Sequence, residues 1–329
     1  MNWWEKGWYQ QHPFTLLFWP LSLLYRLVAV IRRLGYQRGW FQSFAVEKPV
    51  VIVGNISVGG TGKTPFTLWL CKFLTEQGFT PGIVSRGYGA RITEPVRVTS
   101  LHRACDVGDE PLLLASKSNC PVVVCPDRVA AAQYLLATTD CNIVISDDGL
   151  QHYRLQRDLE LVLIDGQRGL GNQQLLPAGP LREPVSRLQK VDAVIVNSGD
   201  FALAKRTKKP QHKMQLKAVK PLALDGQSQW PEQAQAVTLV AAIGNPLRFV
   251  DTVKNFGIEI KGTAFFRDHF AFDEHSLADI EGPVLMTEKD AVKCRAFAKA
   301  NWYYLPVEAD LSDEFKFWLQ QQLRQWRDE

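Results

Sequence analysis

A mixed α/β fold, with a mostly parallel sheet covered by helices, is predicted by three features of this 329-residue sequence. Short β-branched runs alternate with longer amphipathic stretches. One of these runs leads through a glycine-rich turn into a helix, and another ends in a pair of acids. The alternation suits parallel strands, which must return through a crossover that is usually helical. With 46% hydrophobic residues the chain can bury a large core, and its length points to two domains.

The first element is an apolar helix. From Phe14 to Ile31 the chain reads "FTLLFWPLSLLYRLVAVI", with Arg26 as its one charge. Eighteen helical residues span about 27 Å, slightly less than a hydrocarbon core of about 30 Å. Pro20 and Arg26 count against a simple spanning helix, and the flanks do not fit a cleaved secretory signal. Tryptophans before it (Trp3, Trp4, Trp8) and Arg32-Arg33 after it match an interfacial aromatic belt with a cytoplasmic basic flank. Within residues 1–40, five basic residues face one acid, which accounts for the whole net charge of +4. An uncleaved helix associated with the membrane over 1–34 is expected; the alternative is an N-terminal core helix.

Next comes "VVIVGNISVGGTGKTPFTLWL", Val50–Leu70. Val50–Val53 suit a buried parallel strand. Gly59, Gly60 and Gly62 let backbone N–H groups converge on an anion, and Pro65 fits the first turn of a helix. Lys63 is placed to reach β- and γ-phosphates, and the Thr64 hydroxyl to bind Mg²⁺. The phosphate-loop pattern G-x-x-x-x-G-K-[ST] is met except at its first position, where Ser57 stands. The segment Ser57, Val58, Gly59, Gly60, Thr61, Gly62, Lys63 and Thr64 is therefore the expected ATP-binding loop. The sheet is accordingly expected to be of the P-loop NTPase type.

Further strands are predicted at Gly82–Ser85, Val122–Cys125, Ile143–Ser146, Leu161–Ile164 and Ala193–Val196, with helices at Pro65–Gln77 and Arg128–Thr138. The strand at 143–146 ends in Asp147-Asp148, where a P-loop fold holds Mg²⁺; Asp-Asp-Gly is equally a good turn. Asp109 and Glu110 precede an apolar helix, either as capping acids or with one of them as a base for an acceptor hydroxyl. In "PAGPLREP", Arg182 is suited to neutralise phosphate charge and Glu183 to complete a Mg²⁺ shell. The basic stretch from Lys205 reads as a solvated linker without the interleaved aromatics of a nucleic-acid patch. Strands at Val237–Ala242 and Val284–Met286 then mark a second α/β segment. His269, among aromatics in "FFRDHFAF", is either structural or faces the phosphate loop across a cleft. These boundaries give an anchor at 1–34, a kinase-like domain at 35–204, a linker at 205–233 and a smaller domain at 234–329. The six cysteines form no C-x-x-C pair, so no metal–cysteine site is expected.

Taken together, "GNISVGGTGKTP", "SRGYG" (Ser85–Gly89), "GDEP" (Gly108–Pro111), "DDGLQH", "LPAGPLREP" and "DHF" resemble, in order and nearly end to end, the lipid A disaccharide kinase family, the tetraacyldisaccharide 4′-kinases of Gram-negative bacteria. That family also writes its loop with serine at the Ser57 position. The resemblance implies two α/β/α domains that close over ATP and Mg²⁺. It also implies transfer of the γ-phosphate to the 4′-hydroxyl of a tetraacyl disaccharide 1-phosphate, giving lipid IV-A. Asp109 would be the acceptor base, coupled to His269. Lys63 and Arg182 would act on the phosphates. Thr64, Asp147 and Glu183 would hold the metal, and Arg86, Tyr88, Asp148 and His152 would lie near the lipid headgroup. The implied location is the cytoplasmic face of the inner membrane, with the membrane surface as partner and neither nucleic acid nor a protein partner. Two rival readings are a membrane-attached NTPase switch, for which "TEKD" (Thr287–Asp290) is a partial base-specificity echo, and a soluble small-molecule ligase or kinase whose N-terminus is a core helix. A lipid-binding adaptor with a vestigial loop is opposed by the intact Lys63-Thr64 pair.

Overall fold

A computed structural model describes residues 3–10, 12–199, 201, 206–231 and 236–326, excluding the side chains of 3–5. The side chains of Trp3 and Trp4, the ends of the expected linker at 205 and 232–233, and parts of the expected domain edges therefore lie outside the described residues.

The helices are α1 (Trp3–Tyr9), α2 (Trp19–Gln37), α3 (Lys63–Glu76), α4 (Ala104–Val107), α5 (Asp109–Lys117), α6 (Arg128–Thr138), α7 (Pro246–Asn255), α8 (Glu288–Cys294) and α9 (Asp313–Leu323). A 3₁₀ stretch, Pro13–Phe18, runs into α2, so 13–37 forms one helical rod with Pro20 in the first turn of α2, where a missing N–H costs little. The larger sheet is built from β1 (Val50–Gly54), β2 (Pro81–Ser85), β3 (Val96–Arg97), β4 (Val122–Val124), β5 (Ile143–Asp147), β6 (Leu159–Asp165), β7 (Ala193–Asn197) and β8 (Gln211–Ala218). The smaller one holds β9 (Leu222–Ala223), β10 (Val237–Ala241), β11 (Ile260–Phe265), β12 (Val284–Thr287) and β13 (Trp302–Leu305), after which β14 (Val307–Leu311) returns to the larger.

The nine-stranded sheet runs β14-β8-β7-β6-β1-β5-β2-β4-β3, antiparallel only at its two outermost pairs. In β1, Val50–Val53 are buried on both faces, packing against helices on each side, and this explains the continuous apolar run. Parallel pairing aligns Val53 with Asp147 and Ser85 with Val124, so the C-terminal ends of the central strands share one edge. The five-stranded sheet, β11-β10-β12-β13-β9, is parallel except at β13–β9.

The expected strands are present to within about two residues. Two features differ from expectation. The stretch read as a linker contains β8, where His212 and Met214 point inward and Lys213 and Lys217 outward. The basic residues thus conceal a period-two strand. The segment after β13, expected to belong to the smaller domain, crosses back: β14 pairs with β8, and the Phe315 ring of α9 packs tilted against Phe66 and Trp69 of α3.

The helical rod 13–37 reverses the usual pattern. Leu17 and Leu24 are 78% and 59% exposed, whereas the body is met by Ser22, whose Oγ donates to the Leu175 carbonyl (2.8 Å), and Tyr25, whose Oη donates to that of Arg182 (3.1 Å). Gly35 is buried against the Phe41 ring, with no room for a Cβ. Only 11% of the most apolar window of 13–37 is buried, so it is not a core helix.

Candidate active site

The loop between β1 and α3 is shaped from behind. Gly54 sits where a Cβ would fall 2.6 Å from Leu150 Cβ. The Val58 amide donates to the Pro180 carbonyl (2.8 Å), and the Arg182 amide donates to that of Ile56 (2.7 Å). These bonds join the loop to the "PAGPLREP" segment. Asn197, ending β7, donates from Nδ2 to the Thr61 carbonyl (3.0 Å). Gly62 has φ +90°, a left-handed conformation natural only to glycine, and turns the chain into α3. The result is a helix N-terminus with Lys63 and Thr64 facing a cavity of about 700 Å³. Backbone dipoles and a lysine at that point favour a phosphate.

Three charged groups stand beside it. Asp148 lies 3.5 Å from the Lys63 Nζ and accepts two hydrogen bonds from Arg182 Nη1 (3.0 and 3.2 Å). Burial alone would raise its pKa, but Lys63 and Arg182 outweigh that and hold the carboxyl well below the usual range. Asp147 is buried behind it, 3.4 Å from the hydroxyls of both Thr67 and Ser85. Burial, aided by the anions Glu110 and Asp148, pushes its pKa up to about 7.

The facing wall comes from the C-terminal edge of the smaller sheet. His269, in the turn after β11, places Nδ1 3.0 Å from both carboxylate oxygens of Asp109 at the start of α5. Its backbone has φ +58°, an uncommon conformation for a residue with a side chain, and Asp268 Oδ1 accepts its amide (3.0 Å). Burial lowers the imidazole pKa, but the bond to Asp109 prevails and raises it. Burial likewise opposes ionisation of Asp109, yet His269, Lys289 and Lys293 bring its pKa below the usual value. The two walls also meet where Arg168 Nη2 donates to the Gly244 carbonyl (2.9 Å) and Arg248 pairs with Asp165 (2.9 Å).

The structure brings together most of the residues expected from the sequence: Val58 to Thr64, Arg86, Tyr88, Asp109, Asp148, Arg182 and His269 all line one cavity, with Ser57 and Asp147 buried outside its lining. The Tyr88 ring lies 4.9 Å from that of His269. Two expected residues are elsewhere. Glu183 is buried outside the cavity lining, with its carboxylate taken by Gln151 (2.9 Å), by the Tyr153 hydroxyl and by Arg187 (3.4 Å). His152 sits behind the cavity wall 4.0 Å from Asp127, and burial, with Arg128, lowers its pKa to about 4, so it is neutral. Among the described residues no cluster of three metal-ligating side chains exists.

Sequence reasoning missed Lys289, Arg248 and Asn197. The available signal was position. Asn197 ends a parallel strand, Arg248 follows one closely, and Lys289 stands at a strand-to-helix junction, all at the edge where such folds bind ligands. The same cavity reaches Tyr25 and Arg32 of α2, connecting it to the exposed apolar helix.

Over residues 14–324 the chain matches a family model described as LpxK, tetraacyldisaccharide-1-P 4′-kinase. It is 46% identical over 311 residues to the tetraacyldisaccharide 4′-kinase of Aeromonas salmonicida (strain A449), covering 93% of this chain and 92% of that one. The protein of the same name from Shewanella frigidimarina (strain NCIMB 400) is 45% identical over 327 residues, covering 98% and 95%. Among solved structures, LpxK from Aquifex aeolicus in complex with ATP superposes with a TM-score of 0.79 at 28% identity, covering 95% of this chain and 99% of that one.

Proposed function

This chain belongs to the tetraacyldisaccharide-1-P 4′-kinase family and is an ATP-dependent phosphotransferase of lipid A biosynthesis, and we propose the following division of labour among its residues. The observation that carries it is the placement, in one cavity, of the phosphate loop and of an Asp109–His269 pair that joins the two walls.

Ser57–Thr64 cradle the β- and γ-phosphates, with Lys63 and Arg182 neutralising charge that develops during transfer. Asp148 pairs with both cations. The acceptor is the 4′-hydroxyl of a tetraacyl disaccharide 1-phosphate, with Arg86 and Tyr88 beside its headgroup. Its proton passes to the Asp109–His269 pair as its oxygen bonds to the γ-phosphorus and the bond to the β-phosphate oxygen breaks, releasing ADP. The close approach of the two sheet edges excludes water, which would otherwise take the phosphoryl group.

Mg²⁺ fits this donor set. Thr64 and Asp148 open on the cavity with hard oxygen donors, Asp147 stands directly behind, and Mg²⁺ typically takes only one or two protein carboxylates beside phosphate and water. The ion would neutralise and orient the β- and γ-phosphate oxygens. In this reading Glu183 shapes the 180–183 turn through Tyr153, Gln151 and Arg187.

The acceptor's acyl chains resist leaving a bilayer by about 0.8 kcal/mol per CH₂. The outward leucines of α2, with Arg26, Arg32 and Arg33 alongside, therefore hold the enzyme on the inner membrane's cytoplasmic surface, where ATP is available. The test follows labelled γ-phosphate from Mg·ATP into the tetraacyl disaccharide 1-phosphate in mixed micelles. Label on the lipid, absent with Lys63→Ala, is expected. ATP hydrolysis indifferent to the lipid would overturn the reading. Replacing Leu17, Leu24 and Leu27 with serine is expected to release the protein from vesicles while leaving transfer in detergent largely intact.

A further inference from the structure

One lysine in the cleft has no part in the division of labour above. Lys289, second residue of α8, sends its Nζ to within 3.0 Å of Glu110 Oε1, 3.3 Å of His269 Nε2, 3.5 Å of Asp268 Oδ1 and 3.8 Å of Asp109 Oδ2. It thus touches both walls and both members of the acid–base pair. Lys293, one turn further on, lies 3.9 Å from Asp109 but is committed to Asp290 (2.7 Å) and the Phe270 carbonyl (3.0 Å). Lys289 is 16% exposed in its side chain and lines the cavity.

The contact with His269 has a chemical meaning. An ammonium only donates, so the ring nitrogen 3.3 Å away must offer a lone pair. Nε2 is then the unprotonated nitrogen, and Nδ1 carries the hydrogen donated to Asp109. An imidazolium in this place would set N–H against N–H. We propose that Lys289 is a positioning residue for phosphoryl transfer: it clamps Glu110 to the Asp268–His269 turn across the cleft and holds His269 as the Nδ1–H tautomer beside an ionised Asp109, the form of the pair able to accept a proton. This rests on the acid–base role assigned to that pair above.

The surrounding charges agree with this assignment. The groups facing the pair are Asp109 and Glu110 from α5, Asp268 from the β11 turn, Lys289 and Lys293 from α8, and the Tyr88 phenol, with Lys63 acting on Glu110 from the phosphate loop. Burial opposes a charged Lys289, yet Glu110, Asp109 and Asp268 together raise its pKa, so it is cationic at every pH at which the enzyme works. That cation favours ionised Asp109 and opposes protonation of His269. Removing it shifts both groups upward.

The test uses the full-length protein. Lys289→Met is expected to lower kcat about tenfold or more, to change KM for ATP less than about threefold, and to move the acid limb of kcat/KM for the lipid up by about half a pH unit or more. Lys289→Arg should keep the limb in place. Glu110→Gln, which removes a neighbouring anion, should move it down. A Lys289→Met limb at the wild-type position would overturn the proposal, as would a loss confined to KM for ATP, which would make Lys289 a nucleotide ligand. Should Lys289→Met not fold, an unmoved limb in Glu110→Gln overturns it equally. NMR of ¹⁵N-labelled histidine, with His269→Gln assigning one of the six, reads the tautomer and pKa of His269 without turnover. An Nε2–H tautomer would sink the clamp even if the kinase assay succeeds. A confirmed tautomer in a protein that labels no lipid would fault the kinase reading instead.

Discussion

The two walls of the cleft are made of different materials. On one side the anion site is largely backbone: a strand end, a turn and a helix N-terminus within residues 54–64, braced by Asn197 and the 180–182 segment. The other side consists of side chains on separate turns, Gly244–Arg248, Asp268–His269 and Lys289, which reach across to Asp165, Asp109 and Glu110. Backbone dipoles are fixed once the fold forms and cannot be titrated. The side-chain wall can be protonated, mispaired or pulled away. In the proposed function, binding of a polyanion therefore falls to the rigid wall, and proton management and closure to the adjustable one.

The largest expected effect tests the adjustable wall where its His269 meets Asp109 across the cleft. Asp109→Ala should reduce kcat by about 10²- to 10⁴-fold, the range for losing a general base. Adding His269→Ala should then cost little more, because partners in one unit do not contribute independently. Single-turnover rates of the two singles and the double decide this. Losses that multiply would show that the 3.0 Å contact between them carries no catalytic coupling.

Next is Lys63→Ala, which removes the lysine at the helix N-terminus of the rigid wall. A loss of about 10²- to 10³-fold in kcat is expected, comparable to removing one preorganised donor from a developing anion. Gly62→Ala probes the backbone itself. The left-handed φ and the nearness of Asn197 Nδ2 leave no room for a methyl group, so the turn must distort. The expected result is a rise of about tenfold in KM for ATP with a smaller change in kcat. Equal losses in both would mean that the loop takes part in transfer beyond holding the nucleotide.

The difference between the walls also governs what can be read from the sequence. The phosphate loop is legible because contiguous residues determine it: Gly62 is needed by its φ, Pro65 by the first helical turn, Lys63 by reach. The acids at the end of β5 are legible because a strand end beside the loop is a geometric address. The other wall depends on which turn of a second sheet faces α5, and no local pattern encodes that. Lys289 accordingly reads as part of an incomplete base-specificity motif, although it clamps four polar groups. Glu183 is the converse. Its place beside Arg182 suggests a metal ligand, but 182–183 form a bend whose two amides both donate to the Ile56 carbonyl, and the Glu183 carboxylate is taken by Tyr153 and Arg187. The fold errs where charge hides periodicity, as in β8, and where the chain leaves one sheet for another after β13.

The smallest expected effect lies in the rigid wall and concerns stability more than rate. Asp147 is fully buried with its pKa pushed up to about 7. A carboxyl whose folded pKa exceeds its unfolded value, about 3.9, makes the folded state bind the extra proton. Its protonated form therefore supports the fold below about pH 4, and that support is lost as pH rises towards 7. Asp147→Asn keeps the shape and removes the charge. The ligand-free variant should melt a few degrees above the parent at pH 7.5, with the gain shrinking towards pH 4, where the parent's carboxyl is also neutral. If Asp147 holds Mg²⁺ with the nucleotide, Mg·ATP should raise the parent's Tm more than the variant's, reversing the order. An equal rise in both would remove Asp147 from the metal's surroundings and leave Asp148 and Thr64 to hold it. A variant less stable than the parent at pH 7.5 would instead mean that the Thr67 and Ser85 hydroxyls hold a fully ionised carboxylate, making this wall as dependent on charge as the other.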